Sequence, residues 1–174
     1  NITGPGTMDY WAIAYDIESD KTIAVNPYGS AKAYDYNSDT WESIANVFPP
    51  SGSGNRDLSY DLHSDRIMMI GYTNDVMKYD YNTNSWDGVN DPDFNTWGAG
   101  GTITYDITNK KSIVFQYYGE VKAYNAGTNN WSSLSDSEVK LAGMDATYIG
   151  KFPLSKPANL TASPSEAKVT LNWS

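Results

Sequence analysis

AKAYDYNSDTW at residues 31–41, VMKYDYNTNSW at 76–86 and VKAYNAGTNNW at 121–131 are one pattern written three times. Each copy begins with an alternating apolar stretch and reaches Tyr-Asp or Tyr-Asn. It then crosses a polar turn and ends on Trp. Trp41, Trp86 and Trp131 recur at an interval of 45 residues, as do Tyr34, Tyr79 and Tyr124. Working outward, the same interval relates Tyr15-Asp16, Tyr60-Asp61 and Tyr105-Asp106, and also the basic residues Lys21, Arg66 and Lys111. The register needs no gap from position 11 to position 134. Four residue types do not agree across three copies by chance, so the chain is built from a repeated structural unit.

Each unit predicts four short strands. The first covers 11–17, 56–62 and 101–107, and the second covers 22–26, 67–71 and 112–116. The third covers 31–36, 76–81 and 121–126, and a short fourth begins at each Trp. Polar turns (ESDK, HSDR, TNKK) separate the first two strands, and Gly29, Asn74 and Gly119 mark the turn before the third. The Asp after Tyr15, Tyr60 and Tyr105 is expected to cap its turn by accepting from backbone amides. Short alternating strands between turn signals, with no sustained helical period, predict an all-β fold.

Four strands in 45 residues is the arithmetic of a propeller blade. The unit resembles the Kelch repeat. The resemblance is carried by Tyr34-Asp35-Tyr36-Asn37 before Trp41, Tyr79-Asp80-Tyr81-Asn82 before Trp86, and Tyr124-Asn125 before Trp131. It implies that the third-strand Tyr and the Trp opening the fourth strand pack between neighbouring sheets. The Gly-Gly pair that usually closes the second strand is absent, with Gly71 and Gly119 as partial echoes. The match is to the looser bacterial or archaeal form, over about residues 5–150.

Residues 1–151 are thus expected to form a Kelch-like propeller segment. Its blades lie near 11–55, 56–100 and 101–145, with a closing strand at 146–150. A Pro-rich linker follows at 152–157. Residues 158–174 resemble the first two strands of a fibronectin type III domain, whose second strand ends near a Trp, here Trp173. Three blades do not close a ring, because propellers have about four to eight. Two expectations follow: the sequence is a window from a longer protein, or copies of it assemble with one another.

Composition narrows the function. With 12 Lys plus Arg against 21 Asp plus Glu, the net charge is −9, which argues against a nucleic-acid partner. No apolar run approaches the length needed for a membrane-spanning helix. The absence of Cys excludes disulfides, thiolate metal sites and cysteine nucleophiles. A galactose-oxidase-like copper centre needs Cys and two His, and the chain has no Cys and only His63. A sialidase-like site needs an arginine cluster, and the chain has only Arg56 and Arg66.

The repeated Tyr and Trp residues are therefore expected to be packing, and His63 a solvated turn residue. Function is sought in residues that break the repeat. Trp11, Arg56 and Trp97 fall on or near the loops leading into first strands, where an aromatic ring or guanidinium can stack on a sugar or a partner's ring. Asp91-Pro92-Asp93-Phe94-Asn95 has alternating oxygen donors but lacks the glycine and glutamate of a calcium hand. Asn1, Asn130, Asn159 and Asn172 open Asn-x-Ser/Thr sequons, about the number chance supplies, and each is a glycosylation acceptor in an extracellular setting. No cofactor, metal or catalytic residue is expected. The expected function is non-enzymatic: an extracellular or cell-surface adhesion or binding module. Its partner would be a protein, a glycan or another copy of itself. The alternatives are a fibre or surface-layer subunit, and part of an enzyme whose site lies on other blades.

Overall fold

The computed structural model describes residues 11–47, 56–73, 75–90, 92–94 and 101–136, and the backbone of 161–165 and 168–172. Among these residues there are only strands, in three four-stranded antiparallel sheets and one hairpin. Sheet 1 holds β1 (Ala12–Asp16), β2 (Lys21–Val25), β3 (Ala31–Asp35) and β4 (Thr40–Ser43). Sheet 2 holds β5 (Asp57–Asp61), β6 (Arg66–Ile70), β7 (Val76–Asp80) and β8 (Ser85–Gly88). Sheet 3 holds β9 (Gly101–Asp106), β10 (Lys111–Gln116), β11 (Val121–Asn125) and β12 (Asn130–Ser133). The hairpin pairs β13 (Thr161–Ser165) with β14 (Lys168–Asn172). Each sheet is a simple meander, and β1, β5 and β9 lie side by side, so the sheets are arranged as propeller-like blades. The expected closing strand at 146–150 and linker at 152–157 lie outside the described residues.

The fourth strands start one residue before each Trp and end before Ile44, Val89 and Leu134, a small correction to the expected span. The reason is pairing. Trp41, Trp86 and Trp131 are the cross-strand partners of Tyr34, Tyr79 and Tyr124, and the ladder closes at the turn with Asp35–Thr40, Asp80–Ser85 and Asn125–Asn130. The paired rings stack at 4.9–5.0 Å between centroids with tilts of 37–43°. Such pairs add about 0.5–1.5 kcal/mol beyond area burial.

Every hairpin on the Tyr-Asx end is built alike. Asp16, Asp61 and Asp106 each accept from the backbone amides two and three residues on, at 2.9–3.2 Å, as the sequence predicts. Asp35, Asp80 and Asn125 do the same at the second turn, at 2.8–3.4 Å. Each turn ends in a left-handed residue: Asp20, Asp65 and Lys110 at the first, Asp39, Asn84 and Asn129 at the second. Asp and Asn tolerate that conformation best among residues with a side chain. The preceding Tyr then donates its hydroxyl to that residue's side chain in Tyr34–Asp39, Tyr60–Asp65, Tyr79–Asn84 and Tyr124–Asn129, at 2.8–3.0 Å. The repeated basic residues also acquire a role, since Lys21 pairs with Asp35 at 2.9 Å and Arg66 with Asp80 at 2.8 Å. In sheet 3 the neutral Asn125 stands in place of that acid, so Lys111 lacks the equivalent ion pair.

The core lies between the sheets. Ile23, Val25, Ala31, Ala33, Ile44 and Val47 of sheet 1 meet Leu58, Ile67, Met69 and Tyr79 of sheet 2. Met68, Ile70 and Val76 on the other side of sheet 2 meet Ile103, Val114 and Tyr124 of sheet 3. Sheet 2 is thus apolar on both faces, which explains the continuous run Ile67-Met68-Met69-Ile70. Indole N–H groups link successive sheets: Trp86 Nε1 donates to Ala45 O at 2.8 Å and Trp131 Nε1 to Asn90 O at 2.7 Å. This is the inter-sheet packing that the repeated Tyr and Trp residues were expected to supply.

Gly29 is the most constrained turn residue. Its φ is +86°, and a Cβ there would sit 2.8 Å from Val47 O. Gly29→Ala is expected to cost about 1–3 kcal/mol. A lowered denaturant midpoint with unchanged slope would show this, and an unchanged midpoint would refute it.

Candidate functional site

The two ends of the strands are chemically different. One end carries the Asx turns just described, whose backbone amides are bonded within the turns. The other carries the segments leading into β1, β5 and β9 and the turns between second and third strands. These turns are closed by Asn26 N to Ser30 O, Gly71 N to Asp75 O and Gln116 N to Glu120 O, each at 2.9 Å. Asn26 and Gln116 stiffen them further, their side-chain oxygens accepting from Tyr28 N at 3.0 Å and Tyr118 N at 2.7 Å. The turns are held by their own bonds, so their exposed side chains project from a firm base.

Each of the three turns exposes a tyrosine. Tyr28 is 74 % exposed, and Tyr72 and Tyr118 are exposed on the corresponding turns of sheets 2 and 3. Tyr117 braces Tyr118 edge-on, with ring centroids 5.0 Å apart at 89°. One aromatic ring therefore stands on each blade at this end. The sequence reading missed the set because the rings sit at slightly different repeat positions: Tyr28 and Tyr118 are in register, whereas Tyr72 is one residue earlier. The available signal was that all three turns contain a Tyr beside Gly or Thr.

Arg56 lies among them. It approaches the Gly29 turn of sheet 1, with Nη1 3.5 Å from where a Gly29 Cβ would stand. It also feels the Asp75 carboxylate on the sheet 2 turn. Burial works against its positive charge and Asp75 works for it. An arginine stays protonated under such conditions. Its Nη1 is enclosed without a hydrogen-bond partner among the described residues. Trp11, half-buried, leads into β1 at the same end. The structure thus brings Arg56 and Trp11 to the end that carries the tyrosines, while Trp97 lies outside the described residues.

The remaining candidates resolve more simply. His63 is exposed in its turn and donates its backbone N–H to Asp61 at 3.0 Å. Of the oxygen-rich Asp91–Asn95 stretch, residues 92–94 are described, and they meet a lysine. Lys122 Nζ donates to Pro92 O at 2.6 Å and to Asp93 O, and lies 5.2 Å from the Phe94 ring centre. Among the described residues no three His, Cys, Asp or Glu side chains converge as metal ligands. Asn130 is exposed on β12, Asn172 ends β14, and Asn1 and Asn159 lie outside the described residues.

No protein-family model matches the chain, and no curated protein matches it. Solved structures do. One is the structure of YjhT, 14 % identical, with a TM-score of 0.59, covering 82 % of this chain and 56 % of that one. Another is an auxiliary nutrient binding protein from Bacteroides ovatus, 13 % identical, with a TM-score of 0.54, covering 70 % of this chain and 30 % of that one. The likeness is one of fold. This chain spans about half the length of the first structure and under a third of the second.

Proposed function

We propose that this chain is a non-enzymatic binding module of the extracellular space or cell surface, and that its ligand is a glycan. The observation that carries this reading is the row of exposed Tyr28, Tyr72 and Tyr118, one per blade, at the end that also holds Trp11 and Arg56. Flat amphipathic rings fixed on tight turns stack on the apolar faces of sugars and lose little entropy in doing so. Arg56 would add a charge-assisted contact to a ligand hydroxyl or carboxylate. The nutrient-binding role of the Bacteroides ovatus structure supports binding as the general class. The Kelch-like reading of the blades, and the fibronectin type III reading of residues 158–174 with their antiparallel β13–β14 pair, fit modular surface proteins. Fold alone does not assign a ligand.

Glycan-array screening tests the proposal. A hit is expected to weaken by about tenfold or more in Tyr28→Ala and Tyr118→Ala, the loss usual for an aromatic contact at the centre of an interface. Circular dichroism should be unchanged, since both rings are exposed. Binding that survives all three tyrosine substitutions would reject this face as the site.

A further inference from the structure

Two apolar register positions behave differently across the three sheets. At the first, Ile13 is exposed while Leu58 and Ile103 are buried, so that position is covered wherever another sheet lies against it. At the second, Ile17, Leu62 and Ile107 are 55 %, 46 % and 39 % exposed. Leu62 belongs to sheet 2, which packs against a sheet on each face, and it is still exposed. Packing of sheet on sheet therefore does not cover this second position. The reason is placement: each residue follows the last Asp of β1, β5 or β9 and opens the Asx turn at the end of the sheet.

Turn chemistry does not call for an aliphatic side chain there. The turns are closed by the Asp carboxylates and the backbone amides two and three residues on, and the side chains of Ile17, Leu62 and Ile107 take no part. A single exposed aliphatic residue is ordinary. Here Ile, Leu and Ile recur at one position on strands that lie side by side, so they form a row along the Asx end.

The row runs through acidic ground. Glu18, Asp20 and Asp39 are exposed on the turns of sheet 1, and Asp65 is half-buried on the first turn of sheet 2. The side chains of Tyr15 and Asn37 donate to Asp20 and hold its carboxyl below the usual carboxylate range. Lys21 and Arg66, the bases of these turns, are already paired with Asp35 and Asp80. The one exposed cation beside the row is Lys110 on sheet 3, so the charge is most negative over sheets 1 and 2.

We infer that the Asx end is a docking surface for a cationic amphipathic segment of a partner protein. Apolar side chains of that segment cover Ile17, Leu62 and Ile107, and its Lys or Arg side chains meet Glu18, Asp20, Asp39 and Asp65. Charge complementarity of this kind steers the encounter and fixes orientation, while the aliphatic row supplies burial. Aliphatic side chains lack the flat rings that suit the tyrosine end to sugars. A second copy of the chain, with net charge −9, would bring the same acids against these. The inference does not rest on the glycan reading, which uses the opposite end of the strands. A chain with both surfaces links a glycan to a protein.

Fluorescence anisotropy with a labelled amphipathic Leu–Lys peptide tests it. Peptides with Glu in place of Lys, or Ser in place of Leu, are the controls. The Leu–Lys peptide is expected to bind about tenfold or more tightly than either control, and to weaken with added salt. Leu62→Ser and Ile107→Ser alter exposed turn side chains, so circular dichroism and thermal midpoint should be unchanged. Together they should weaken the Leu–Lys peptide by about tenfold or more, and each alone by a smaller factor. Tyr28→Ala, at the opposite end, should bind it as the unaltered chain does. No preference for the Leu–Lys peptide overturns the inference. So does affinity indifferent to the serine variants, which would be charge attraction alone, or affinity lost in Tyr28→Ala. Self-association of the unaltered chain that the serine variants abolish would assign the row to a second copy and overturn it equally.

Discussion

Tyr79→Ala is expected to cost about 3–5 kcal/mol, the range for removing a large buried aromatic side chain. Tyr79 is 1 % exposed, packs in the core between sheets 1 and 2, and stacks on Trp86 at 4.9 Å. Its hydroxyl also donates to Asn84 at 3.0 Å, and the same Asn84 oxygen accepts from Ala45 N at 2.7 Å across the sheet boundary. One side chain therefore fills the core, locks a left-handed turn residue and positions an inter-sheet bond. A loss of this size takes much of the roughly 5–15 kcal/mol available to a domain. Tyr79→Phe should lose only about 0.5–1.5 kcal/mol, because the ring stays and one hydrogen bond goes. Tyr34→Ala should cost less than Tyr79→Ala, because Tyr34 is only half-buried whereas Tyr79 is fully buried. Chemical denaturation of the three variants checks the order, and equal losses at Tyr34 and Tyr79 would contradict it.

The second large effect is alkaline instability. Burial, with the Glu42 carboxylate beside it, pushes Tyr81 up to about 12. Burial and Asp61 likewise push Tyr105 up to about 12. Burial with the Asp65 hydrogen bond raises Tyr60 further, and burial with nearby Tyr81 and Glu42 raises Tyr79. In the unfolded chain each phenol loses its proton near pH 10. Between about pH 10 and 12 the folded protein therefore holds more protons than the unfolded chain, and stability falls as pH rises. Below about pH 10 both states are protonated and these tyrosines contribute no pH dependence. Phenolate absorbance followed with near-ultraviolet circular dichroism should show a late, steep ionisation phase coincident with loss of tertiary signal. Ionisation of all fourteen tyrosines in one shallow curve, with structure retained, would refute it.

Much of the fold was legible because it rests on local rules repeated in register. Asp16, Asp61 and Asp106 cap their turns as the Tyr-Asp pattern implied, and Trp41, Trp86 and Trp131 meet Tyr34, Tyr79 and Tyr124 because pairing at a fixed distance across a short turn leaves no other partner. The end of the strands that holds Trp11 and Arg56 could also be placed from strand order alone. The tyrosine row could not, since its members occupy slightly different repeat positions and share a surface only once the sheets stand side by side. The contact of Lys122 with the Pro92 and Asp93 carbonyls was illegible for a similar reason: residues about thirty positions apart meet only in the folded chain.

The sequence by itself determined the period, the four strands of each unit and the turn chemistry, because these depend on residues within about ten positions of one another. The tertiary structure decided exposure. Ile13, Leu58 and Ile103 occupy one register position and are equally apolar, yet only Ile13 faces water. Whether a side chain is core or surface depends on whether another sheet lies against it, and that is a property of the neighbouring sheet rather than of the residue.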